Sequence, residues 1–132
     1  AGWEMASLRE LAEHELRPYG QEKILIEGED VELAPKQALA LGMVFHELAT
    51  NAAKYGALST PAGKVAIAWD HAGDNEAVLT WAERDGPPVA PPDRKGFGTR
   101  LLDRGLSADL GGQPKLTFDA AGVRAVLPIR LA

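Results

Sequence analysis

The stretch His46-Glu47-Leu48-Ala49-Thr50-Asn51-Ala52-Ala53-Lys54-Tyr55 decides how this sequence is read. It ends a helical pattern that starts at Pro35, where the first turn of a helix tolerates proline, and closes at Gly56. At about 100° per residue, Glu47, Asn51 and Lys54 stand at i, i+4 and i+7 within roughly 60° of arc. Leu41, Val44, Leu48, Ala52 and Tyr55 form an apolar stripe about a quarter-turn aside. Packing that stripe on a sheet leaves the polar one at the lip of a crevice. A carboxylate, a carboxamide and an ammonium placed there can position a nucleophile, complete a magnesium shell and meet phosphate charge. A solvated helix face gives the same pattern, so the stripe alone leaves both readings open.

Working outward, Trp3 to Leu16 carries apolar residues at spacings of three and four and predicts a first helix, ended by Pro18-Tyr19-Gly20. Lys23 to Glu27 and Val31 to Leu33 read as short strands paired as a hairpin around Gly28-Glu29-Asp30. Lys64 to Asp70 and Ala77 to Glu83 alternate apolar residues and predict an antiparallel pair across Ala72-Gly73-Asp74-Asn75. Asp85 to Lys95 contains Pro87, Pro88, Pro91 and Pro92 and reads as a loop. A third helix is expected, opened by Gly96-Phe97-Gly98-Thr99 and running through Leu101, Leu102, Leu106 and Leu110, stopped by Gly111-Gly112, before a final strand pair at Lys115 to Asp119 and Val123 to Leu131. The plan is α+β: a two-layer sandwich of three helices on a mixed, mostly antiparallel sheet of about five or six strands.

Composition bounds the function. The chain has 132 residues, 14 Lys+Arg against 19 Asp+Glu for a formal charge of −5, and 45% hydrophobic residues, which fits one globular domain spanning 1–132. The negative charge, relieved by no basic run beyond Asp93-Arg94-Lys95, argues against a nucleic-acid partner. The absence of cysteine excludes a disulfide scaffold, a thiolate metal site and cysteine nucleophile chemistry. No apolar run reaches the roughly 18 residues of a membrane span and no leader pattern is present, so a cytoplasmic location without direct membrane contact is expected. The abrupt start inside a helical pattern suggests a domain cut from a longer protein.

Two further segments carry chemistry. Gly96-Phe97-Gly98-Thr99-Arg100 opens the third expected helix, where free N–H groups and the helix dipole suit a phosphate, or where a glycine-rich turn is capped by Thr99. Trp81-Ala82-Glu83-Arg84-Asp85-Gly86 puts a carboxylate at a strand end, able to accept from the exocyclic amine of a purine or simply to face water in a turn.

Taken together, the segments His46 to Ser59, Trp81-Ala82-Glu83 and Gly96-Phe97-Gly98-Thr99 resemble the ATP-binding catalytic domain of HWE-type bacterial sensor histidine kinases, a branch of the GHKL superfamily. The resemblance extends from about Trp3 to Leu131 and includes Leu110-Gly111-Gly112. It implies a Bergerat-type fold that binds ATP with Mg2+ and transfers the γ-phosphoryl group to a histidine. It also implies that Glu47 is the catalytic acid/base, Asn51 the metal ligand and Lys54 a phosphate contact. Glu83 would take the adenine amine, where most GHKL proteins use Asp. Gly86, Gly96, Gly98 and Thr99 would line the nucleotide, with Arg100 a further phosphate contact. Under this reading His46 is either a family marker near the active centre or, the favoured alternative, a packed imidazole orienting Glu47, and Trp81 is a core and pocket-wall residue.

The implied partners are the acceptor-histidine dimerisation domain of the same kinase and, through the full-length protein, a response regulator. His14-Glu15-Leu16-Arg17 does not match the family's acceptor pattern, so autophosphorylation of this chain alone is not expected. Asp85 stands where related sequences usually have glycine, which predicts a backbone less able to turn tightly. Two other readings remain: a degenerate phosphotransfer scaffold that ignores ATP, against which Glu47, Asn51 and Lys54 argue, and an anti-sigma-type Ser/Thr protein kinase.

Overall fold

The computed structural model describes residues 6–87, 110–119 and 122–131. The chain runs β1 (Ala6–Ser7), α1 (Leu8–Leu16), β2 (Ile24–Glu27), β3 (Glu32–Leu33), α2 (Pro35–Tyr55), β4 (Lys64–Gly73), β5 (Glu76–Arg84), β6 (Lys115–Asp119) and β7 (Gly122–Arg130). Short 3-10 turns at Arg17–Tyr19, Gln21–Lys23 and Ala57–Ser59 connect them. Five strands form one mixed sheet in the order β2-β4-β5-β7-β6, and β1 pairs separately with β3. The two described helices cover one face of that sheet. The expected third helix lies outside the described residues except for Leu110, which is helical and fully buried.

Alternation builds the sheet's inner face: Val65, Ile67 and Trp69 on β4, Ala77, Leu79 and Trp81 on β5, and Val123, Ala125, Leu127 and Ile129 on β7 are all buried. All of them except Ala77 and Val123 meet Leu8, Ala12 and Leu16 of α1 and Leu41, Val44, Phe45, Leu48 and Ala52 of α2 in one core. The β4–β5 and β6–β7 hairpins are antiparallel as expected, with Ile67 opposite Trp81 and Leu116 opposite Ala125. Hydrophobic residues at i, i+4 and i+8 turn α1 inward.

Two expectations at the N-terminal end are corrected. The first helix begins at Leu8, because Ser7 caps it: the Glu10 N–H donates to Ser7 Oγ at 3.1 Å, and Ala6–Ser7 pairs as a strand with Glu32–Leu33. The anticipated hairpin of Lys23–Glu27 with Val31–Leu33 does not form. Ile24–Glu27 instead pairs parallel with Val65–Ala68, joined to it by a crossover through α2, which buries Ile24 and Ile26 partly against the core. The loop between them is pinned elsewhere. Ser7 Oγ donates to both Asp30 carboxylate oxygens, at 2.8 and 2.7 Å, and the Trp69 indole donates to Glu29 O at 2.7 Å. Arg9 donates to Gly28 O at 2.5 Å while its guanidinium lies 5.5 Å from the Trp69 ring centroid. Long-range partners override the local turn signal.

Among the described residues no helix is long and apolar enough to cross a membrane.

Candidate functional site

The site forms where the C-terminal end of α2 meets the C-terminal end of β5. On α2 the inward face is Ala40, Leu41, Val44, Phe45, Leu48, Ala49 and Ala52, all buried. Glu47 and Asn51 flank that face at intermediate exposure, and Lys54, one turn further on, is exposed. The expected polar stripe at the margin of the packed face is therefore present. Tyr55, expected in the apolar stripe, is 42% exposed at the helix end. His46 is exposed on the outer side of α2, so the expectation of a packed imidazole orienting Glu47 is not met. The reason is angular: at 100° per residue His46 falls on the far side of Glu47 from Leu48 and Val44.

Glu83 is the only charged side chain buried among the described residues, at 6% exposure. It follows Leu79 and Trp81 on the inward face of β5, a period-two position that no turn acid would occupy. Its Oε1 accepts from the Ala57 backbone N–H at 3.0 Å and its Oε2 from the Trp81 indole N–H at 2.9 Å. Burial pushes the Glu83 carboxyl above its ordinary value, while the Ala57 and Trp81 donors pull it back.

The Ala57 amide is itself held in place. Gly56 ends α2 by donating to Ala52 O at 3.0 Å, and both the N–H and the hydroxyl of Ser59 return to Gly56 O, at 2.9 and 2.6 Å. A Cβ on Gly56 would overlap Glu83 Oε1, and one on Gly86 would come within 2.6 Å of Ala57 Cα. Gly86 thus packs its bare backbone against the loop that donates to Glu83. Asp85, expected to resist a tight turn, adopts φ 58°, the left-handed conformation that Asp tolerates better than most residues. It takes up the backbone shape a glycine would supply.

Gly96, Gly98, Thr99 and Arg100 lie outside the described residues. Among the described residues no cluster of three or more His, Cys, Asp or Glu is placed to hold a metal ion. Sequence reading alone does not single out Gly56 and Ala57; the signal available was the glycine closing a long helix followed by a small residue. The Trp81-x-Glu83 spacing, by contrast, already puts both side chains on one face of a strand.

No protein-family model matches the chain. In sequence it is 39% identical over 132 residues to Blue-light-activated histidine kinase 1 of Erythrobacter litoralis, covering 96% of this chain and 36% of that protein. It is 35% identical over 127 residues to a blue-light-activated histidine kinase of Brucella ovis, covering 92% of this chain and 26% of that one. The chain thus spans about a third or less of the length of these relatives. In structure it resembles the histidine kinase domain of an Erythrobacter litoralis blue-light activated histidine kinase, with a TM-score of 0.72 at 20% identity over 94% of this chain and 63% of that one. It also resembles the mycobacterial sensor histidine kinase MprB, with a TM-score of 0.69 at 18% identity over 98% of this chain and 99% of that one. In sequence the chain is thus similar to part of these histidine kinases, and its fold is that of histidine kinase domains.

Proposed function

We propose that this chain is the HWE-type catalytic domain of a cytoplasmic sensor kinase, binding ATP with magnesium and transferring the γ-phosphoryl group to a histidine on a separate dimerisation domain. The observation that carries the proposal is a buried, doubly hydrogen-bonded Glu83 at the strand end beside the helix end that bears Glu47, Asn51 and Lys54. A desolvated carboxylate with fixed donors on both oxygens still has acceptor capacity left, and an adenine amine is a fitting guest.

In this reading Glu83 reads the base and Gly86 lets the backbone approach it. Lys54 meets phosphate charge from its exposed position, with Gly96, Gly98, Thr99 and Arg100 as further nucleotide contacts. Asn51 offers a neutral oxygen ligand from the margin of the core, a fitting donor for magnesium, which takes most of its shell from water and phosphate. When bound, magnesium neutralises charge on the phosphates. Glu47, four residues before Asn51 on the same face, accepts the imidazole proton as the acceptor nitrogen forms its bond to phosphorus and the bond to the ADP oxygen breaks. Positioning and charge stabilisation supply most of the catalysis, because phosphoryl transfer needs little covalent help from the protein. The full-length protein would pass the phosphoryl group on to a response regulator.

Calorimetric titration with ADP and a non-hydrolysable ATP analogue, with and without magnesium, tests the proposal. Magnesium-dependent binding is expected, and Asn51→Ala should abolish the magnesium dependence. Absence of binding at millimolar nucleotide would overturn it. Glu47→Gln should leave binding intact and slow transfer to an added acceptor domain.

A further inference from the structure

Trp81 is fully buried, yet it ends on a polar contact: its indole N–H donates to Glu83 Oε2 at 2.9 Å. The Ala57 N–H holds the other oxygen at 3.0 Å. The two donors reach the carboxylate from different elements, the strand that carries it and the turn after α2. Rotation about the terminal torsion of a glutamate is soft, with a broad, roughly two-fold profile, so a free carboxylate would sample many planes. A donor on each oxygen fixes one plane. An ionised carboxylate has about four lone-pair positions, so two remain for a ligand.

We propose that Trp81 is a positioning residue for base recognition: its indole N–H, opposed by the Ala57 amide, sets the plane in which Glu83 presents its remaining acceptor positions to the exocyclic amine of a purine. The inference rests on the reading of Glu83 as the adenine-recognising group and deepens it. It accounts for how a glutamate can serve at this position. The extra methylene, compared with aspartate, adds a rotatable bond, and the indole removes the freedom that bond brings. Trp81 and Glu83 stand two apart on one strand face, so the donor and the acid are carried by the same rigid element.

A merely structural role for the indole would change stability and leave base preference alone. The test therefore measures Mg-ADP and Mg-GDP affinities by calorimetry on the whole chain. The central variant replaces Trp81 with 3-benzothienylalanine, which exchanges the N–H for sulfur at nearly constant volume; Trp81→Phe is made alongside, with thermal melts of each. Glu83→Ala is made alone and combined with the benzothienyl replacement.

The expected result is an ADP affinity about tenfold weaker in the benzothienyl variant, the size of losing one hydrogen bond to a charged group. GDP affinity should move less than about twofold, so the ADP-to-GDP ratio falls. In the Glu83→Ala background the same replacement should leave the ratio unchanged. A benzothienyl variant with the native ratio, while Glu83→Ala collapses it, would overturn the positioning role and spare the adenine reading. If Glu83→Ala itself keeps the native ratio, the adenine reading fails and the role of Trp81 falls with it.

Discussion

Gly56→Ala is a one-methyl probe of the link between the helix end and Glu83. Gly56 has φ −118°, outside the left-handed region, and the steric cost of alanine falls at its Cβ. Its Cβ would overlap Glu83 Oε1 and sit 3.2 Å from Ala52 Cα. Backbone on the helix side cannot retreat without breaking the Gly56 N–H to Ala52 O bond at 3.0 Å, so the carboxylate must yield. Yielding takes Oε1 off the Ala57 N–H. A hydrogen bond to a charged group is worth about 1.5–3 kcal/mol and overpacking costs about 1–3 kcal/mol, and these are alternative outcomes of one clash, so a loss of about 2–3 kcal/mol is expected. Urea unfolding at neutral pH, with the slope unchanged, measures it. Glu83→Asp withdraws the acid by one methylene, so the double variant should be less destabilised than the sum of the single changes, by at least about 0.5 kcal/mol. A Gly56→Ala chain within about 0.5 kcal/mol of wild type, or strict additivity with Glu83→Asp, would refute the contact as described.

The raised pKa of Glu83 sets a pH dependence. Between the ordinary glutamate value and that raised value, the folded chain holds a proton that the unfolded chain has released, so Glu83's contribution to stability grows as pH falls through this window. Unfolding curves of wild type and Glu83→Gln from neutral to mildly acidic pH should show this as a difference between them, because glutamine does not titrate there. Over the same window ADP affinity of the wild type should decline, since the neutral carboxyl is the weaker acceptor; constant affinity would contradict base recognition by Glu83. Gly28→Ala should cost about 2–4 kcal/mol in unfolding experiments, because φ is 144° and a Cβ would lie about 2.5 Å from the Trp69 ring.

The sheet was largely legible because its hairpins are local: Val65, Ile67 and Trp69 alternate, as do Leu79 and Trp81, and a turn-forming Asp74-Asn75 lies between. The parallel partner of β4 was not. Ile24–Glu27 is a four-residue strand with three apolar residues whose pattern fits a hairpin as well as a parallel edge, and what decides is the set of distant partners on its loop, Trp69, Arg9 and Ser7. The true start of α1 was legible and easily passed over, since Ser7-Leu8-Arg9-Glu10 has the spacing of a capping box while periodicity alone runs the helix back to Trp3. At the site, the 100° arithmetic places Glu47, Asn51 and Lys54 correctly beside the core but leaves His46 outside it. The burial of Glu83 is concealed by the Asp85-Gly86-Pro87 that follows, which reads as solvent-exposed turn, although its two-residue offset from Trp81 points inward.

Burying a carboxylate is costly, and here the offset comes from donors whose positions are fixed before any ligand arrives. Ala57 is secured from several sides. Ser59 closes on Gly56 O, Lys23 Nζ donates to Thr60 O at 2.5 Å and Gly63 O at 3.2 Å, and Gly63 has no room for a Cβ beside Ala57 O. Thr60 Oγ1 donates to Asp85 O at 3.4 Å, tying this turn to the bend after β5, while Gly86 packs against Ala57. Trp81, immobilised in the core, supplies the second donor. A carboxylate held this way has little reorganisation left to undergo when a ligand donor arrives, so ordering costs that would weaken binding are met during folding. Under the proposed function, that coupling predicts that changes in the turn from Gly56 to Gly63 alter base affinity and chain stability together, whereas changes at Lys54 alter nucleotide affinity alone.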